Sequence, residues 1–240
     1  MLRAFHPLLP WLVASLLFGL LIAEVQRELS GDAVQRVHDT TFGTLERLPV
    51  RRDAGKALLL IGNSRLGFAI PTQRLLSQVA EPAGLGDATS RLVYGAELSA
   101  SELRKQSWRL VAFRPTVVVM QIDLMLTLPP KTRRFEVIRR YEGYARSGAD
   151  LDAGLAILSQ LWESRRVVLE APIGRSVDRQ LSSAWQADRA ALHEMLRARG
   201  LEVIATDWPC PDQDFDDGVH YSAEGASRFR SWLGTSLAKP

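Results

Sequence analysis

Residues 8–25 (LLPWLVASLLFGLLIAEV) are apolar as far as Glu24, and at about 1.5 Å per residue the run approaches a bilayer core of roughly 30 Å. No charge interrupts residues 8–23, which disfavours a buried helix of a soluble domain. The run ends Leu-Leu-Ile-Ala-Glu, with bulky aliphatics where a signal peptidase prefers small side chains. An uncleaved anchor over residues 1–25 is therefore preferred to a cleaved signal peptide. Residues 26–54 are polar, with Leu45 and Leu48 but no sustained apolar stripe, as suits a juxtamembrane helix and linker.

From residue 55 to 240 the pattern changes. Five short apolar runs, at 57–61 (ALLLI), 92–94 (LVY), 116–122 (TVVVMQI), 167–169 (VVL) and 203–205 (VIA), have strand length. The first, third and fourth are continuously apolar, the signature of strands buried on both faces. Helical spacing fills the gaps. Residues 99–113 place Leu103, Trp108, Leu110 and Val111 at roughly helical spacing behind a serine cap, and 150–162 and 178–198 read as helices, the latter stopped by Gly200. Strands alternating with helices predict an α/β class, three-layer α/β/α sandwich around a five-stranded parallel sheet, preceded by the N-terminal transmembrane helix.

Composition narrows the function classes. With 240 residues, 46% hydrophobic, the chain can bury one good core. Its formal charge is +3, and acidic and basic residues are interspersed, so no extended basic face points to nucleic acid. The single cysteine, Cys210, rules out an intramolecular disulfide and a multi-cysteine zinc site.

Candidate chemistry sits at two places. Ser64 follows the first strand directly (LLLIGNSR, 58–65), ahead of a helix expected near Leu66, at the carboxyl edge where open α/β sheets bind ligands. A serine there is either a nucleophile or a plain helix cap. Far downstream, DDGVHYSAEG (216–225) sets Asp217 three residues before His220, just ahead of a helix starting around residues 222–225. Such a carboxylate can hold imidazole Nδ1–H and leave Nε2 free to deprotonate a serine. The chain has only four histidines, although a buried structural role for His220 is the other reading.

Gly62-Asn63-Ser64 resembles the first block of the SGNH/GDSL hydrolase superfamily, and Asp217-x-x-His220 resembles its last. That resemblance implies a flavodoxin-like fold with Ser64, Asp217 and His220 as catalytic triad. It also implies an oxyanion hole from the Ser64 N–H, a glycine after the second strand, here Gly95, and an asparagine after the third. Two departures stand out. Asn63 replaces the usual aspartate, and the third block reads Met120-Gln121-Ile122-Asp123, with no asparagine. Gln121 is the available stand-in for the missing donor. Asp123 is a structural or substrate-orienting carboxylate, and Arg65 is either a ligand for an anionic or sugar substrate or a solvated surface arginine. The basic, aromatic-rich segment 129–147 is a lid touching anionic lipid or polysaccharide, or else an ordinary solvated helix, and 208–211 (WPCP) is a rigid loop at the pocket rim. No metal or cofactor is called for. Membrane-attached proteins of this kind act on esters of extracytoplasmic polysaccharides. By that analogy the chain is expected to be single-pass in the cytoplasmic membrane with a periplasmic domain, a serine esterase or O-acyltransferase for acylated carbohydrate beside a membrane-bound O-acyltransferase partner. The alternatives are a lipid or thioester hydrolase with the same triad, and a non-catalytic carbohydrate-binding or assembly subunit.

Overall fold

Each apolar run forms a strand of one sheet: β1 (Ala57–Gly62), β2 (Thr89–Tyr94), β3 (Val117–Gln121), β4 (Arg165–Leu169) and β5 (Glu202–Ile204). The computed structural model describes residues 45, 48–53, 55–95, 98–126, 148–179, 183–206 and 210–239. The predicted anchor, most of the stretch read as linker and the segment 129–147 lie outside the described residues. Among the described residues, no helix is long and apolar enough to cross a membrane.

All strand pairs are parallel, in the order β2-β1-β3-β4-β5. The chain therefore steps outward from β1 to β2, then returns past β1 to add β3, β4 and β5. This reversal opens a crevice at the carboxyl ends of β1 and β3, the usual ligand position in open α/β sheets. Every residue of β1 and β3 is buried, which explains their unbroken apolar sequences.

Helices cover both faces of the sheet. On one face lie α1 (Ser64–Ala69) and α2 (Gln73–Ala80), whose Leu66, Leu76 and Val79 pack on Leu58, Leu60 and Val119. On the opposite face are α3 (Ala100–Arg104), α4 (Ser107–Phe113) and α5 (Gly148–Gln160), with Leu103, Leu110, Phe113 and Ile157 against Leu59, Ile61, Val118 and Met120. The short α6 (Arg175–Asp178) follows β4. It leads to α7 (Ser183–Ala198), whose Leu192 and Leu196 join the second of these cores. The last helix, α8 (Ala223–Ala238), returns to the first face through Phe229, Leu233 and Leu237. Each such side chain taken fully out of water contributes about 1.5–3 kcal/mol, so the sandwich is held from both sides of the sheet.

The structure departs from the sequence reading in three places. The helix expected over 99–113 is broken at Lys105 and Gln106 into α3 and α4. Ser99 caps α3 as anticipated, accepting from the Glu102 N–H at 3.3 Å, but the break resets the helical phase. Leu110 and Phe113 then point inward, whereas Trp108 is 58% exposed and Val111 39% exposed. The helix expected over 178–198 is replaced by α6 and α7, with residues 180–182 between them outside the described set. Finally, the core extends upstream of residue 55, because Leu45 and Leu48 are both buried in it.

Candidate active site

Ser64 is the first residue of α1, and the cap of that helix is its neighbour. The Asn63 side chain accepts from the Arg65 N–H at 3.0 Å, the local bond that turns β1 into α1. Capping therefore does not account for Ser64. Its side chain is left half-buried at the carboxyl edge of the sheet. Among the described residues no acceptor meets the Ser64 N–H, one of the unpaired donors of a first helical turn.

The second half of the site is a loop closed on itself. Phe215 and Tyr221 form an antiparallel bridge, and the Asp216 N–H donates to the His220 carbonyl at 2.8 Å. Between them Gly218 takes φ +85°, a left-handed conformation that glycine adopts without strain. Asp217 shapes this turn through Oδ1, which accepts from the N–H groups of Val219 at 3.0 Å and His220 at 2.8 Å. Its other oxygen, Oδ2, lies 2.7 Å from His220 Nδ1. A carboxylate can only accept, so Nδ1 carries the proton, and in the neutral ring Nε2 presents a lone pair. That Nε2 is 3.3 Å from Ser64 Oγ, just beyond the usual reach of about 2.6–3.2 Å for a base. Partial burial raises the Asp217 carboxyl, but the bonds from the His220 ring and the two main-chain N–H groups outweigh it and hold the group below the usual carboxylate range.

The two sequence blocks thus meet as a Ser64–His220–Asp217 relay. This order can remove the serine proton and return it to a leaving group. Phe68, one helical turn after Ser64, lies edge-on to the imidazole with ring centroids 5.0 Å apart. Its other surface faces solvent, since the residue is 57% exposed. The i+4 spacing from Ser64 was the signal that would have found it.

The remaining expected site residues behave differently. Gln121 is completely buried and both ends of its amide are engaged. Its Oε1 accepts from the Asn63 N–H at 3.0 Å and its Nε2 donates to Asp123 at 2.6 Å. An oxyanion at the surface is out of its reach, which withdraws it as the stand-in donor. The Gly95 N–H continues the sheet ladder, donating to the Gly62 carbonyl at 3.3 Å, and so is not directed at an oxyanion in this structure. Arg65 is neither a surface arginine nor a substrate ligand, because its side chain is 2% exposed and paired with the equally buried Asp123 at 3.3 Å. Its second terminal nitrogen donates to the main-chain carbonyls of Ala171 and Pro172. Asp123 is accordingly the structural carboxylate of the two alternatives. Cys210 is buried beside Thr206, and burial pushes its thiol upward, away from reactivity. Among the described residues, no group of three or more His, Cys, Asp or Glu is arranged to hold a metal ion.

No protein-family model matches the sequence, and no curated protein is significantly similar to it. Solved structures do share its fold. A structure from Streptococcus pneumonia described as a platelet activating factor superposes with a TM-score of 0.54 at 14% identity, over 90% of this chain and 99% of that one. A GDSL-like lipase structure from Parabacteroides merdae gives a TM-score of 0.52 at 12% identity, over 79% of this chain and 98% of the other. The class defined by the sheet order is therefore an α/β fold with a five-stranded parallel sheet, of the kind found in GDSL-like hydrolases.

Proposed function

We propose that the chain is a serine-dependent ester hydrolase or O-acyltransferase of the SGNH type, acting on acyl esters, acetyl foremost, of cell-envelope or extracellular polysaccharide. The observation that carries this reading is the Ser64–His220–Asp217 relay at the carboxyl edge of the sheet. In the first half-reaction His220 Nε2 takes the proton from Ser64 as Oγ bonds to the ester carbonyl carbon. The carbonyl electrons move onto oxygen, which the Ser64 N–H meets. Collapse of this intermediate expels the alcohol, which leaves with the proton from the imidazolium. Water or a sugar hydroxyl then repeats the sequence on the acyl-serine, giving hydrolysis or transfer.

Exposed Phe68 beside the imidazole supports a carbohydrate substrate, since an aromatic face suits the C–H face of a sugar ring. The apolar run at 8–25 supports attachment to a cytoplasmic membrane, with the domain in the periplasm beside a membrane-bound O-acyltransferase. One observation favours a second reading, a carbohydrate-binding or assembly subunit without turnover. With Gly95 and Gln121 both engaged elsewhere, Ser64 supplies the one oxyanion donor seen among the described residues. A missing donor costs about 10²–10³ in rate, so slow turnover is the expectation under the hydrolase reading.

The test is p-nitrophenyl acetate turnover by the full chain in detergent, compared with Ser64→Ala and His220→Ala. Turnover that both variants lose, with unchanged thermal unfolding, supports the hydrolase. Turnover at the blank rate, or equal in the variants, refutes it in favour of the binding reading.

A further inference from the structure

Arg65 adjoins the proposed nucleophile, yet its guanidinium never reaches the surface where a substrate would lie. One of its terminal nitrogens faces both oxygens of Asp123, at 3.4 and 3.3 Å. The other donates to the carbonyls of Ala171 and Pro172, on the segment that follows β4. The Pro172 carbonyl has a second donor, the Tyr221 hydroxyl, at 3.3 Å. Tyr221 directly follows His220, and its ring is fixed between Phe215 and Phe229, with centroids 5.1 and 4.8 Å away.

On the serine side the connection is equally short. Asn63 precedes Ser64 and donates through its N–H to Gln121, which in turn donates to Asp123. Both neighbours of Ser64 therefore lead to Asp123, and Arg65 carries the link onward to the carbonyl that the His220 loop also grips. Few side chains suit this task. A guanidinium presents five N–H donors in a rigid planar fork, whereas a lysine ammonium is a compact point charge on a flexible stem.

We propose that Arg65 is a positioning residue for the triad: it ties the Ser64 turn to the Pro172 carbonyl that anchors the His220 loop, and so sets the separation across which the serine proton passes. This rests on the hydrolase reading but is tested separately from it. The assignment leaves Arg65 out of substrate contact, so its loss lowers kcat and leaves KM in place.

Two variants of the full chain test it. Tyr221→Phe removes one hydroxyl and keeps the ring packing, whereas Arg65→Lys keeps the charge and loses the fork. The readouts are the fluorophosphonate labelling rate of Ser64, kcat and KM for p-nitrophenyl acetate, the unfolding temperature, and the Ser64 Oγ to His220 Nε2 distance in crystal structures. Tyr221→Phe is expected to label about 5-fold more slowly, the worth of one ordinary hydrogen bond, with KM close to wild type and the unfolding temperature lower by only about 2–4 °C. Arg65→Lys is expected to lose more, on the order of tenfold or beyond, because charge-assisted bonds are worth roughly twice neutral ones. A folded Tyr221→Phe that labels at the wild-type rate overturns the proposal, and this holds even where Arg65→Lys fails to fold. If wild type itself does not label, the hydrolase reading fails. The clamp is then judged by the crystal structures alone, where lengthening of the 3.3 Å separation in Tyr221→Phe supports it and an unchanged separation overturns it.

Discussion

Replacing Asp123 with alanine removes the carboxylate that pairs with the Arg65 guanidinium, the two side chains being 1% and 2% exposed. The guanidinium keeps its two carbonyl acceptors but loses this counter-charge, and Gln121 Nε2 loses an acceptor at 2.6 Å. Breaking a buried ion pair from one side costs about 3–5 kcal/mol, chiefly by stranding the remaining charge. The orphaned Gln121 amide contributes about 1–3 kcal/mol on its own, but members of one network do not add, so the total stays within the pair's range. For a domain of this size each kcal/mol lowers the unfolding temperature by about 2–4 °C, which gives an expected fall of roughly 6–20 °C. Circular dichroism melts, backed by urea unfolding with an unchanged slope, measure it. Asp123→Asn, which keeps an acceptor, should lie between wild type and Asp123→Ala. The double variant Arg65→Met with Asp123→Leu should recover part of the loss, since it removes both charges together. An Asp123→Ala protein melting within about 2 °C of wild type would refute the claim that this pair is buried and mutually dependent.

Two further outcomes follow from other parts of the fold. Glu170 is buried against Arg189 at 2.6 Å and His193 at 2.8 Å. Burial raises its carboxyl, but the close approach of His193 and the charges of Arg189 and His193 outweigh it, leaving the folded group below its ordinary value. Its stabilisation is therefore present above the unfolded value of about 4.3 and is lost as pH falls through the lower folded value. The gap in unfolding temperature between wild type and Glu170→Gln should be widest at neutral pH and narrow below about pH 4, and a gap independent of pH would contradict the assignment. Gly225 lies in the first turn of α8, where an added Cβ would stand 1.9 Å from the Asp214 carbonyl oxygen, a main-chain atom that cannot swing away. Gly225→Ala should cost about 1–3 kcal/mol in thermal unfolding, and a melt matching wild type would show that the two backbones are farther apart than described.

The fold was largely readable because buried parallel strands announce themselves as unbroken apolar runs, and all five runs became strands. Both ends of the relay were readable as well, since Ser64 stands at the end of a strand and Asp217 and His220 lie three apart ahead of a helix. The break between α3 and α4 was not, because Lys105 and Gln106 are good helix formers and no glycine or proline marks the turn. Packing of Leu110 and Phe113 into the core decided the phase instead, leaving Trp108 outside. Arg65 was misread for a related reason. Charged side chains are mostly exposed, and the carboxylate that allows this one to be buried comes from the turn just after β3, 58 positions along the chain. The same distance hid the engagement of Gln121, and only the register of β1 with β2 reveals that the Gly95 N–H continues the ladder to Gly62.

The central claim is that Ser64 is a nucleophile activated by His220. Fluorophosphonate treatment of the full chain, followed by peptide mapping with mass spectrometry, tests it without any choice of natural substrate. The account predicts one adduct per chain, on Ser64, absent from Ser64→Ala and strongly slowed in His220→Ala. No adduct on the wild-type protein, or an adduct elsewhere that persists in Ser64→Ala, would contradict it.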